Sequence, residues 1–112
     1  VSKIGMTMLA MAIDEEEPNI AAQALWPITG IRTAATVNLG MGADDEWRTP
    51  QILADATIEL LAKNPADCAF RAWLDEEVLA EAGITDLDQY SCVPGSTPSP
   101  MSIQLVNPNW TR

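Results

Sequence analysis

Histidine is absent from all 112 residues. Its absence excludes a His-based catalytic triad, a His-ligated zinc and an imidazole general base. Basic residues are scarce as well, six against sixteen acids, for a formal net charge of −10. So acidic a chain is a poor partner for nucleic acid or for an anionic membrane surface, and neither is expected. No apolar run approaches the ~20 residues that cross a bilayer, and no signal peptide is visible, so a cytoplasmic protein is expected. The two cysteines, Cys68 and Cys92, have no second pair to complete a metal motif, and no metal site is expected. They read as reduced structural thiols, with a disulfide as the alternative.

What the chain does have is apolar content, 47% of its residues. At this length a single domain can bury about 65% of its unfolded surface, so a real core is within reach. The acidic residues cluster in short runs, Asp14 to Glu17, Asp44 to Glu46 and Asp75 to Glu77. Such runs suit solvated helix ends and loops.

Ile4, Met8 and Met11 recur at helical spacing over residues 1 to about 13, with Gly5, Ala10 and Ala12 as a small-residue face. A glycine inside a helix costs ~1 kcal/mol against alanine, which a close neighbouring helix would justify at Gly5. The segment Asp14 to Pro18 is expected to break this helix, because a residue before proline avoids the α region. Ile20 to Trp26 is a nearly continuous apolar run closed by Pro27, the pattern of a strand buried on both faces of a parallel sheet. From Pro27 to Arg48 the pattern is loop with one short helix. Thr49 as cap and Pro50 in the first turn predict a helix carrying Ile52, Leu53, Ala56, Leu60 and Leu61. Cys68 to Leu74 reads as a second strand, and Glu76 to Ala82 as a helix stopped by Gly83. Four of the eight prolines lie after Tyr90, so an extended tail is expected.

Helix, strand, helix, strand in this order fits part of an α/β layer structure. Two parallel strands alone leave exposed edges, so the chain reads as incomplete on its own. Ligands of open α/β sheets bind beyond the carboxyl ends of the strands, where Pro27 to Thr33 would lie. Thr29, Gly30 and Thr33 offer hydroxyls and accessible backbone there. An ordinary turn with a threonine at a helix cap fits the same pattern.

Val1-Ser2-Lys3-Ile4-Gly5-Met6 resembles the end of the Tyr-x-x-x-Lys helix of the short-chain dehydrogenases/reductases. Ala24-Leu25-Trp26-Pro27, with Thr29, Ile31 and Thr33-Ala34-Ala35, is similar to the cofactor-loop motif of the subgroup containing hydroxysteroid dehydrogenase-like proteins and citronellol dehydrogenases. Arg48-Thr49-Pro50, Ile52-Leu53-Ala54-Asp55-Ala56, Asp75-Glu76-Glu77-Val78-Leu79 and Ala80 to Tyr90 extend the resemblance to about residue 98.

The resemblance implies the C-terminal half of a Rossmann-type doubly wound parallel sheet. The half with the glycine-rich phosphate loop, the catalytic serine and the catalytic tyrosine is expected to be missing. It implies an NAD- or NADP-dependent oxidoreductase that interconverts a small apolar alcohol and a carbonyl, and a homo-oligomer. Residues 27–33 would form the cofactor loop and residues 34–49 a substrate lid, followed by a divergent tail over 99–112. Lys3 would be the family lysine, holding the nicotinamide ribose and lowering the pKa of a tyrosine one helical turn earlier. Ile31 and Thr33 would hold the nicotinamide carboxamide, with Pro27 and Thr29 beside them, and Met41 and Trp47 could line the substrate pocket or fill the lid's own core. Tyr90 aligns with a structural position. Gln23 in place of asparagine, Phe70 in place of glycine and the acidic turn Asp14 to Asn19 depart from the subgroup. Without its missing half the chain is expected to be inactive. A non-catalytic acidic module that dimerises through Gly5, Ala10 and Ala12 is the other reading.

Overall fold

In a computed structural model, residues 2–100 are described. The first helix, α1, spans Ser2–Glu16. It outruns the break expected at Asp14, because the constraint of Pro18 falls on Glu17 alone, whose N–H still donates to the Ile13 carbonyl at 2.9 Å. Strand β1 (Ala24–Trp26) pairs in parallel with β4 (Ala72–Leu74), Leu25 opposite Trp73. Both strands are shorter than the runs Ile20–Trp26 and Cys68–Leu74 suggested. The residues leading into them are held by side chains instead of a ladder. Asp14 accepts the Ala22 N–H through one carboxylate oxygen (2.9 Å) and the Phe70 N–H through the other (3.1 Å). Gln23 donates to the Ala69 carbonyl and accepts from the Trp73 indole N–H.

Successive strand residues face opposite sides of a sheet. Leu25 and Trp73 pack with α3 (Gln51–Leu61) and α4 (Asp75–Glu81). Trp26, one residue on, donates its indole N–H to the Thr7 hydroxyl of α1 at 2.9 Å. Helices thus cover both faces of a two-stranded parallel layer that does not close on itself, the α/β arrangement the sequence implied.

The stretch read as a loop holds more order than its composition suggests. After β2 (Gly30–Ile31) come the short helix α2 (Ala34–Asn38), a 3-10 turn at Asp44–Glu46 and β3 (Trp47–Arg48), which pairs in parallel with β2. Arg48 also bridges antiparallel to Ser91. Thr49 does not cap α3: its N–H donates to the Tyr90 carbonyl at 2.7 Å, and Pro50 takes the cap position without a side-chain bond. Gly83 ends α4 as expected. Its φ of +81° suits glycine, and Gly83 N–H to Ala80 and Ile84 N–H to Leu79 close the last turn. Of the expected extended tail, Ser99 and Pro100 carry no regular structure, and residues 101–112 lie outside the described ones.

The core gathers Ile31, Ile52, Ala56, Trp73, Val78, Leu79 and Tyr90. Tyr90, only 2% exposed, donates its hydroxyl to Asp55 at 2.7 Å. Burial, and then the bond to Asp55 and its charge, push the phenol from its ordinary 10.0 up to about 12. The folded state therefore holds this proton more tightly than the unfolded chain. Tyr90's contribution is complete below pH 10 and lost as pH rises through 12. Wild-type unfolding free energy should fall on the order of 2 kcal/mol across that window beyond any fall in Tyr90→Phe. Urea titrations of both proteins at several alkaline pH values measure the difference; parallel curves would refute the role.

Candidate functional site

Strand β1, the loop after it and the first turns of α1 enclose, with Thr36 of α2 and Leu53 of α3, one cleft of about 660 Å³, mostly apolar in its walls. Lys3, Pro27, Thr29, Ile31 and Thr33 all line it, together with Thr7, Trp26 and Thr36. The structure therefore brings together residues from positions 3 and 27–33 that the sequence connects only through a resemblance. Met41 and Trp47 are not among its walls. Met41 is exposed, and Trp47 is buried on β3. The indole nitrogen of Trp47 lies 3.0 Å from the position a side chain on Gly42 would take, and Gly42 has φ +135°. Trp47 thus packs against its own segment, which only glycine at 42 permits.

Lys3 stands in the first turn of α1, exposed. Among the described residues its ammonium group has no ion-pair partner within the chain. Thr7, one turn later, donates to the Lys3 carbonyl (3.3 Å) while accepting the Trp26 indole N–H. Trp26 at the end of β1 therefore fixes the turn that carries Lys3 against the loop that follows the strand.

That loop is ordered from both sides. Thr29 is fully buried, and its hydroxyl donates to the Gly30 carbonyl at 3.2 Å. Thr33 caps α2: its hydroxyl accepts the Thr36 N–H, while the Thr36 hydroxyl accepts the Thr33 N–H at 2.8 Å and donates to the Ile31 carbonyl at 2.8 Å. The ordinary capping function left open for Thr33 is thus real. It uses the hydroxyl as an acceptor from the Thr36 N–H, and the same oxygen lies 3.4 Å from the Thr36 hydroxyl. Thr36 was not singled out in the sequence, although a threonine three residues after a capping threonine is a recognisable capping signal.

Two further charged groups lie buried behind the loop. Asp75, fully buried, accepts the Glu76 N–H at 2.8 Å and the Ile28 N–H at 3.1 Å through Oδ1, and Oδ2 has no hydrogen-bond partner among the described residues. Burial raises its pKa above the usual carboxylate range, against the bonds from Ile28 and Glu76 and the nearby Arg48 charge. Arg48, 4% exposed, pairs with Glu76 at 2.6 Å, and its Nε has no hydrogen-bond partner. The run Asp75 to Glu77, expected as a solvated helix end, is therefore partly interior. Both cysteines are free thiols. Cys68 donates to the Asn64 carbonyl, and burial pushes the Cys92 thiol up. No group of three or more His, Cys, Asp or Glu side chains able to hold a metal occurs among the described residues. No helix there is long and apolar enough to cross a membrane.

This parallel α/β layer is shared with short-chain dehydrogenases. A short-chain dehydrogenase structure from Mycobacterium thermoresistibile superposes with a TM-score of 0.74 at 41% identity, covering 88% of this chain and 36% of that one. A structure from Xanthomonas campestris, provisionally described as a dehydrogenase, gives a TM-score of 0.79 at 35% identity, covering 88% and 37%. Among curated proteins, hydroxysteroid dehydrogenase-like protein 2 of Xenopus tropicalis is 46% identical over 97 residues, and that of Homo sapiens 38%. Each match covers 85% of this chain and 23% of the relative, so the chain spans about a quarter of their length. No family model matches. The chain is thus related to the short-chain dehydrogenases over part of their length, consistent with their C-terminal part and with the Rossmann-type α/β fold.

Proposed function

We propose that these residues form the nicotinamide-side wall and substrate cover of an NAD- or NADP-dependent short-chain oxidoreductase of the cytoplasm. Its reaction would interconvert a small apolar alcohol and a carbonyl. The observation that carries this reading is the convergence of Lys3 with the Pro27–Thr33 loop on one largely apolar cleft. The donor set suits the cofactor: an ammonium without an ion-pair partner among the described residues, the Thr33 hydroxyl, and a loop backbone held by hydrogen bonds. Bound cofactor would accept or supply the hydride. Lys3 would hold the ribose hydroxyls and, by its charge, favour the phenolate of a tyrosine one helical turn earlier. No residue of this sequence occupies that tyrosine position, and no glycine-rich phosphate loop lies among the 112 residues. The isolated chain is therefore expected to bind cofactor weakly and to turn nothing over.

The test joins this chain to the part of the Mycobacterium thermoresistibile dehydrogenase that its match leaves uncovered. Assays with NAD(H) and NADP(H) on apolar alcohols and carbonyls should show turnover in the joined protein and none in the chain alone. Turnover by the chain alone, or a folded joined protein that binds no cofactor, would overturn the reading.

A second reading is favoured by the side of α1 away from the cleft, where Ile4, Met8 and Met11 are exposed, and no side chain of α1 is buried. Among the described residues nothing lies within 4 Å of where a side chain on Gly5 would begin, so none of them is the close neighbour expected for Gly5. This face suits a second copy or another subunit, with or without catalysis.

A further inference from the structure

Asp75 does not line the cleft, yet it reaches the loop that does. Its Oδ1 accepts the N–H of Ile28, a residue 47 positions earlier and almost fully buried between Pro27 and Thr29. Among the described residues, this is the one hydrogen bond that ties Pro27–Thr29 to another element. Beyond it, Gly30 and Ile31 pair with β3 and Thr33 caps α2. Asp75 itself is fixed: it follows β4 directly, opens α4, and accepts the Glu76 N–H with the same oxygen. A full ionic charge is not what the contact needs. The acceptor is one oxygen, and both charged groups facing it, Arg48 and Glu76, already pair with each other.

We infer that Asp75 is the positioning residue of the cofactor loop, a carboxyl group behind the cleft that sets the height of the Ile28–Ile31 backbone presented to the nicotinamide ring. The inference rests on the cofactor reading above and adds to it a residue that touches neither cofactor nor substrate. It separates the two ends of the site. Lys3 meets the ribose side from α1, whereas the carboxamide side depends on a group at the end of β4. An unsatisfied buried N–H at Ile28 would release the loop without unfolding α3 or α4.

The experiment uses the whole 112-residue chain and its Asp75→Ala and Asp75→Asn variants. Amide hydrogen exchange should speed up about tenfold at Ile28 to Ile31 in Asp75→Ala while Ile52 to Leu60 stay unchanged. In Asp75→Asn, which keeps the acceptor oxygen, exchange should stay within about threefold of wild type. On the same samples, nicotinamide mononucleotide is titrated by amide chemical shift, with AMP as control. Asp75→Ala should weaken nicotinamide mononucleotide about tenfold, Asp75→Asn should restore it, and AMP should leave the loop unshifted in all three. Exchange that rises equally in α3, or not at all in the loop, overturns the assignment of Asp75. Loop exchange that responds as expected, in a wild-type chain whose loop amides ignore nicotinamide mononucleotide, overturns the cofactor reading instead, and the nicotinamide function of Asp75 with it.

Discussion

Replacing Lys3 with methionine in the joined dehydrogenase is expected to lower kcat about a hundredfold or more, with a smaller change in the KM of the alcohol. The expectation follows from placement. Lys3 lines the cleft with no ion-pair partner among the described residues. Proton transfer by a positioned side chain is worth about 10²–10⁴ in rate, and a tyrosine without its ammonium neighbour would ionise well above neutral pH. The pH profile separates this from a folding defect. Methionine should move the alkaline limb for alcohol oxidation upward, and arginine should restore part of the rate by restoring the charge. Since the side chain is exposed and bears no contact in the core, thermal stability should hardly move. Wild-type kcat in a well-folded Lys3→Met protein would remove Lys3 from the site.

The second large effect is on folding. Arg48→Met should destabilise the chain by about 3 kcal/mol, because it removes a buried guanidinium that pairs with Glu76 at 2.6 Å and whose charge faces the buried Asp75. Losing one member of a buried ion pair is far costlier than exchanging both for groups of similar shape. Adding Glu76→Gln to Arg48→Met is accordingly expected to restore part of the loss. Against a total stability of about 5–15 kcal/mol the single change should shift the urea midpoint strongly. Equal midpoints for Arg48→Met and wild type would show that the pair contributes nothing.

Some of these features could be read from the residues and others could not, for identifiable reasons. Helix α3 and the end of α4 at Gly83 follow from apolar spacing and from one glycine, both local signals. The strands came out too long because an apolar run reports burial, not pairing, and Ile20 to Gln23 are organised by Asp14 rather than by a neighbouring strand. Thr49 followed by Pro50 looked like a cap, but the cap position falls on Pro50, while Thr49 is tied through its N–H to Tyr90, 41 positions on. The Pro27–Thr33 loop was legible from its place after an apolar strand, but Lys3 was legible only through resemblance, since nothing in the spacing predicts that α1 folds back over the end of β1. Asp75 was hidden more deeply. Its acidic neighbours suggested solvent, and its partner at Ile28 is a backbone group that no side-chain pattern records.

Residues 34–46 are clasped at both ends. Thr33 and Thr36 secure one end to Ile31, and at the other β3 is gripped by β2 and by the Tyr90–Cys92 segment. A strap fastened in this way has few conformations left to surrender when something slides beneath it. On the proposed function these residues would cover a ligand, and most of the entropy of arranging them is spent when the chain folds, so a small ligand with little surface of its own need supply only the remainder.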